Sequence, residues 1–298
     1  MADKHILHML SPLPQVSPFD ANMALDAGFD AVLPYAGIAL TAVTALVQDA
    51  IFSRPPKDGA KTGMFIGGKD ALLALDMLDA AKKAMVPPFV ISLFADPAGS
   101  FTTAAAMVAR VEAALRSERQ RGLDGLKVVV YGATGVVGFA SAVIAALQGA
   151  RAVLAGYDGA TRVQRSAAEI SRRFGVTVEA ADASTDALKG ELLRNAEVAF
   201  CAGRAGVQIL SADLLRAAPD VLVIADVNAV PPAGVEGLKA QADGVPLGGS
   251  KTLGIGALAI GGTKYRTEFG LFRRMIESSK PIYLDFRDAF ALARELLA

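Results

Sequence analysis

The residues with the plainest chemical meaning form the run Lys127-Val-Val-Val-Tyr-Gly132-Ala-Thr-Gly135-Val-Val-Gly138, an apolar strand pattern passing directly into glycines and then into a helical pattern. Glycines at such a junction let backbone N–H groups close on a pyrophosphate, and the helix start beyond them adds partial positive charge. Gly132, Ala133, Thr134, Gly135, Val136, Val137 and Gly138 are therefore the expected phosphate cradle, with Gly138 admitting close helix-to-strand packing. Read as Gly-x-Gly-x-x-Gly, the pattern has Ala133 in place of its first glycine, with Gly132 one position earlier.

A dinucleotide's ribose is read at the end of the next strand, by a carboxylate on the 2′-hydroxyl or by an arginine on a 2′-phosphate. Here the chain offers both: Asp158 follows Gly138 by 20 residues, Tyr157 precedes it, and Arg162 lies within reach in sequence. Use of NAD and NADP alike is the expectation. Ala202 and Gly203, directly after the run ending at Cys201, and Asn228, ahead of Pro231-Pro232, extend the expected cofactor contacts. Asn228 is read equally well as a residue that shapes its turn. None of the five tyrosines has a lysine four residues later, which removes the Tyr-x-x-x-Lys proton relay of short-chain dehydrogenases. His5 and His8, the only two histidines, stand at i and i+3 on a strand pattern and point to opposite faces, so no metal centre is expected.

What must hold these residues is a βαβ succession. From Leu123 onward, short apolar runs (127–131, 151–155, 176–180, 197–201 and 221–225) alternate with amphipathic stretches, the grammar of a parallel sheet covered on both faces. The first 120 residues repeat it less regularly, with strands expected at 6–10, 31–33, 64–66 and 90–94. A helix after Asp70 carries Leu72, Leu75 and Leu78 near one face with Asp70 as its cap. A long helix over 103–121 carries Val108, Val111 and Leu115 and ends at Gly122. The fold class expected is α/β: a Rossmann-type doubly wound parallel domain over 122–265 and a smaller N-terminal α/β domain over 1–121, with a cleft between them. The segment 266–298, helical with a break at Pro281, packs back on the smaller domain.

Thirty basic residues against thirty acidic ones remove the electrostatic drive that nucleic acid or an anionic membrane surface requires. A single cysteine, Cys201, excludes an internal disulfide and suits a reducing, cytoplasmic setting. The N-terminus lacks the long apolar core of a signal peptide. The uncharged stretches 31–48 and 128–150 approach membrane-spanning length, but their glycines and proline favour burial in an α/β core.

Beyond these features, the chain resembles the bacterial NAD(P)-dependent methylenetetrahydromethanopterin dehydrogenases over essentially its whole length. The likeness rests on His8-Met-Leu-Ser-Pro12, Ser17-Pro-Phe-Asp20, Ile66-Gly-Gly68, Asp96-Pro-Ala-Gly-Ser-Phe-Thr-Thr-Ala104, Asp226-Val-Asn-Ala-Val-Pro-Pro232 and Gly254-Ile-Gly-Ala-Leu-Ala-Ile-Gly-Gly-Thr-Lys264. The resemblance implies oxidation of 5,10-methylene-tetrahydromethanopterin to the methenyl cation, in the formaldehyde oxidation route of methylotrophic bacteria, by a homo-oligomer. It implies Lys264 and Asp20 as the residues tied to activity, and Phe19, Ser100, Thr102 and Thr103 beside them on the pterin side. Strictly NADP-dependent relatives carry an arginine where this chain has Tyr157, which again points to dual cofactor use. A methylenetetrahydrofolate dehydrogenase and a non-catalytic dinucleotide sensor are the alternatives.

Overall fold

The computed structural model describes residues 4–298. In chain order the elements are β1 (Ile6–Leu10), α1 (Pro18–Asp26), β2 (Ala31–Tyr35), α2 (Val43–Phe52), β3 (Thr62–Ile66), α3 (Ala71–Lys83), β4 (Ser92–Ala95) and α4 (Ser100–Arg119). There follow β5 (Lys127–Tyr131), α5 (Val136–Leu147), β6 (Arg151–Gly156), α6 (Ala160–Phe174), β7 (Glu179–Asp182), α7 (Asp186–Arg194), β8 (Val198–Cys201), α8 (Ala212–Arg216) and β9 (Val223–Asp226). The last are β10 (Asp243–Pro246), β11 (Leu253–Ile255), α9 (Ala257–Glu277), β12 (Tyr283–Leu284) and α10 (Phe286–Glu295).

The chain divides into two compact units, one made of the chain through Thr102 together with Tyr265–Leu292, the other of Thr103–Lys264 and Ala293–Ala298. The first unit holds a five-stranded sheet of order β12-β4-β3-β1-β2, every pairing parallel. Its chain order reverses between β1 and β3, where the loops after those strands part in opposite directions. The aromatic centre is Phe65, Phe94 and Phe272, with ring centroids 5.2–5.5 Å apart, so the second half of α9 is wedged against β3 and β4. Asp70 caps α3 by accepting from Leu73 N at 2.8 Å, and Leu75 and Leu78 are buried beneath that helix while Leu72 is only half-buried.

The second unit holds a seven-stranded sheet of order β10-β11-β9-β8-β5-β6-β7, parallel except for the antiparallel β10–β11 pair. β5 is buried on both faces, as its Val-Val-Val run requires, and the sheet reverses between β5 and β8. No helix among the described residues is long and apolar enough to cross a membrane.

Several boundaries differ from the sequence pattern, each for a local reason. The strand expected at 176–180 begins at Glu179, because Gly175 closes α6 in the left-handed region (φ 68) and the chain needs three residues to return to the sheet. The long helix spans Ser100–Arg119 instead of 103–121; it is capped from Asp96 and stopped where Gln120 turns to φ 53. α4 divides with the second unit rather than the first. There Arg110 Nε donates to Thr263 Oγ1 at 2.7 Å and pairs with Asp243, while Glu112 accepts from Arg294. The helix expected from Tyr265 begins at Ala257, and the break at Pro281 leads into β12, which adds to the first sheet beside β4.

Candidate functional site

The glycine turn leaves β5 at its carboxyl end and enters α5 at the sheet's point of reversal. Gly132 sits at φ 77, and a Cβ there would stand 2.3 Å from Ala202 O, so only glycine lets the turn pass the end of β8. A Cβ on Gly138 would stand 2.4 Å from Gly132 O and 2.8 Å from Ala133 Cα. Gly135 is different: its φ of −80 suits any residue, and a Cβ would meet nothing closer than Gly132 O at 3.3 Å. As the N-cap of α5 it supplies no side-chain hydrogen bond, leaving the first N–H groups of a 12-residue helix without a side-chain acceptor. A cradle bare of side chains around uncapped N–H groups fits a pyrophosphate.

Across the turn, at the end of β6, four of the sequence-singled residues come together. Arg162 Nη1 donates to Asp158 Oδ2 at 2.9 Å and to Tyr157 OH at 3.0 Å, and its Nη2 reaches Thr134 Oγ1 at 3.5 Å. The guanidinium carbon stands 5.7 Å from the centre of the Tyr157 ring, which is 65% exposed. These bonds, that to Asp158 foremost, raise the Arg162 pKa and hold its charge. Carboxylate and guanidinium therefore stand side by side, one an acceptor suited to a ribose hydroxyl and the other a donor suited to a phosphate.

At the ends of the neighbouring strands, Tyr131, Cys201 and Asp226 lie in register. Burial raises the Tyr131 hydroxyl and, with Asp226 beside it, pushes the Cys201 thiol well up, so that thiol is an inert core group. Asp226 is itself raised by burial, against the backbone N–H groups that bond it. Ala202 and Gly203 border the glycine turn: a Cβ on Gly132 would stand 2.3 Å from Ala202 O and 2.7 Å from Gly203 N. The Asn228 side chain is engaged by two loops: Oδ1 accepts from Val230 N in its own loop and from Gly206 N in the loop after β8, and Nδ2 donates to Pro232 O.

In the first unit Phe19 and Asp20 follow β1, and Ser100 and Thr102 follow β4, while Thr103 and Lys264 fall in the second unit. Ser17 caps α1 by accepting from Asp20 N at 3.3 Å, with Pro18 at the first helical position, so Asp20 is a buried first-turn residue and not the cap. Phe19 is 49% exposed and meets Tyr265 edge-on at 6.4 Å; Tyr265 is 47% exposed and carried no signal in the sequence beyond following Lys264. The Ile66-Gly-Gly68 segment returns to β1 through Gly67 N on Leu10 O at 2.9 Å, bringing Gly68 against Pro12. Ser100 and Thr103 are half-buried at the start of α4. Thr102 is fully buried, and its hydroxyl lies 2.5 Å from Asp96 Oδ2, which makes it a support for this segment and not a free donor. Lys264 is half-buried in the third turn of α9, within the helix and not at its start. His8 faces Tyr35 OH at 3.1 Å, and burial, then Arg54, lowers its pKa.

Asp96, at the head of the Asp96–Ala104 segment, takes its role from the structure. Its Oδ1 accepts from Phe101 N at 2.8 Å and Thr102 N at 3.3 Å, so it caps α4 from four residues upstream. Asp96→Ala removes that cap and a buried hydrogen bond together, an expected loss of about 2–3 kcal/mol. Thermal unfolding should show the midpoint falling by about 5–10 °C.

The strand order with its glycine turn at the reversal point defines a Rossmann-type α/β fold. The crystal structure of shikimate 5-dehydrogenase from Listeria monocytogenes, in complex with shikimate and NAD, matches it with a TM-score of 0.54 over 100% of this chain and 98% of that one, at 13% identity. That likeness speaks for the fold alone. The chain is 54% identical over 293 residues to the NAD(P)-dependent methylenetetrahydromethanopterin dehydrogenase of Methylorubrum extorquens, covering 98% of this chain and 99% of that one. The bifunctional protein MdtA of the same organism is 34% identical, covering 94% of each. Residues 18–98 match the family model for the N-terminal part of methylene-tetrahydromethanopterin dehydrogenase. The chain belongs to the methylenetetrahydromethanopterin dehydrogenase family.

Proposed function

We propose that this protein oxidises 5,10-methylene-tetrahydromethanopterin by hydride transfer to NAD+ or NADP+, giving the 5,10-methenyl cation. The observation that carries the reading is identity at 54% over nearly the full chain to a dehydrogenase of that substrate. The nicotinamide cofactor supplies the hydride acceptor. Residues 132–138 hold its pyrophosphate, Tyr157, Asp158 and Arg162 its adenosine ribose, and Ala202 and Gly203 border its path. Hydride leaves a carbon flanked by two nitrogens, so the product cation is delocalised and no proton departs in the same step. A general base is not needed; orientation does the work. A protonated Lys264 beside a forming cation opposes the charge change, so its part is to hold the pterin by hydrogen bonds, with Asp20 offsetting charge. Phe19 gives the pterin an apolar wall. The lone buried cysteine suits the cytoplasm.

Deuterium on the bridging methylene carbon should appear in the reduced nucleotide when purified protein, substrate and NAD+ or NADP+ are mixed. Absence of that transfer, or turnover confined to methylene-tetrahydrofolate, overturns the assignment. Arg162→Ala should weaken NADP+ binding roughly tenfold and leave NAD+ nearly unchanged, since only a 2′-phosphate needs the guanidinium. Titration calorimetry with the two nucleotides gives the ratio.

A further inference from the structure

Asp226 ends β9 with a carboxylate that is 2% exposed and, among the described residues, pairs with no cation. A buried ion without a counter-ion is expensive unless hydrogen bonds satisfy it. Here backbone N–H groups from both ends of one loop do so. Oδ1 accepts from Asn228 N at 3.0 Å, Oδ2 accepts from Val235 N at 3.1 Å, and Gly234 N donates as well. A Cβ on Gly234 would stand 2.8 Å from Oδ1, so glycine is what lets the returning chain come this close. Residues 227–233 are thereby drawn into a ring around one side chain.

Asn228 then fastens that ring to the loop after β8. Its Oδ1 accepts from Gly206 N at 3.2 Å, and farther along Ile209 N and Leu210 N donate to Gly234 O at 2.7 and 3.0 Å. The sheet order places β8 and β9 on one side of β5, and β6, with Tyr157 and Asp158, on the other. A dinucleotide whose pyrophosphate meets the start of α5 and whose adenosine end lies toward β6 must run its other half over the loops after β8 and β9. We propose that Asp226 is a positioning residue for the nicotinamide half of the cofactor. By gathering 227–235 and, through Asn228, the 202–210 loop, it sets the surface against which the ring lies without touching it. The inference rests on the dinucleotide reading above.

The test compares NADH with ADP-ribose, which lacks only the nicotinamide, by titration calorimetry on the whole protein. Asp226→Asn puts an amide N–H2 among N–H donors, and Asn228→Ala cuts the tie to Gly206 while leaving Asp226 in place. In either variant NADH should bind at least tenfold more weakly than to the parent protein, with ADP-ribose affinity held within twofold. Should Asp226→Asn fail to fold, Asn228→Ala carries the comparison alone. Equal weakening of both ligands would mean that the network merely supports the fold, and unchanged NADH affinity would mean that it does nothing for the ring; either overturns the inference. Parent protein that binds neither ligand overturns the dinucleotide reading itself, and the inference with it.

Discussion

Gly135→Val should leave the protein folded and abolish most of its cofactor affinity, whereas Gly138→Val should prevent the second unit from folding normally. The two glycines lie three residues apart in one turn, and the contrast comes from what surrounds each. At Gly135 the backbone angles suit valine, and the nearest atom to a Cβ is 3.3 Å away, so the fold loses little. The branched side chain instead occupies the space in front of the α5 N–H groups, where phosphate oxygens must approach to within about 3 Å. A hundredfold or greater loss of NAD+ and NADP+ affinity is expected, ~2.7 kcal/mol or more, with a thermal midpoint within about 3 °C of the parent. At Gly138 the first added carbon already stands 2.4 Å from a carbonyl oxygen of the β5–α5 turn, and backbone cannot yield as a side chain can. Far-ultraviolet circular dichroism and a thermal melt on both variants, followed by nucleotide titration of the folded one, decide the matter. A Gly135→Val protein that binds nucleotide normally would remove the phosphate from this turn.

Lys264→Ala should lower turnover at least tenfold, about 1.4 kcal/mol of barrier, with the protein still folded. The side chain is half-buried on a 21-residue helix, so its ammonium is placed more firmly than one on a loop. In the proposed reaction, which creates positive charge, the lysine's part is to hold the pterin in the reactive geometry. Lys264→Gln, which keeps a hydrogen-bond donor and drops the charge, should therefore retain more activity than Lys264→Ala. Steady-state rates with saturating NAD+ and varied pterin test this; turnover within threefold of the parent for the alanine variant would rule out the role.

The glycine turn and the cluster after β6 were legible in the sequence because their requirements are local. A strand, bare glycines and a helix must follow one another within a dozen residues, and Asp158 and Arg162 sit one helical turn apart. The strands 127–131 and 6–10 were likewise legible from short, mainly apolar runs. What the pattern hid depends on partners distant in the chain. β10, β11 and β12 are two to four residues long and contain glycine or proline or lie beside it, so they become strands only through their neighbours. The start of α9 at Ala257 was masked by Gly261 and Gly262, which read as a loop. That Thr102 is committed to Asp96, and Asn228 to Gly206 and Pro232, is a matter of side-chain geometry that spacing does not encode.

The segments that mark this family sit on the carboxyl rims of the two sheets, at or after the ends of β1, β3, β4, β9 and β11. One rim is thus a workbench and the other a plain fastening. A lineage wanting a different carbon carrier need only rewrite a few stretches on the working rim, leaving the bolted frame beneath untouched; an engineer seeking a place for a tag or a dye should choose the opposite side.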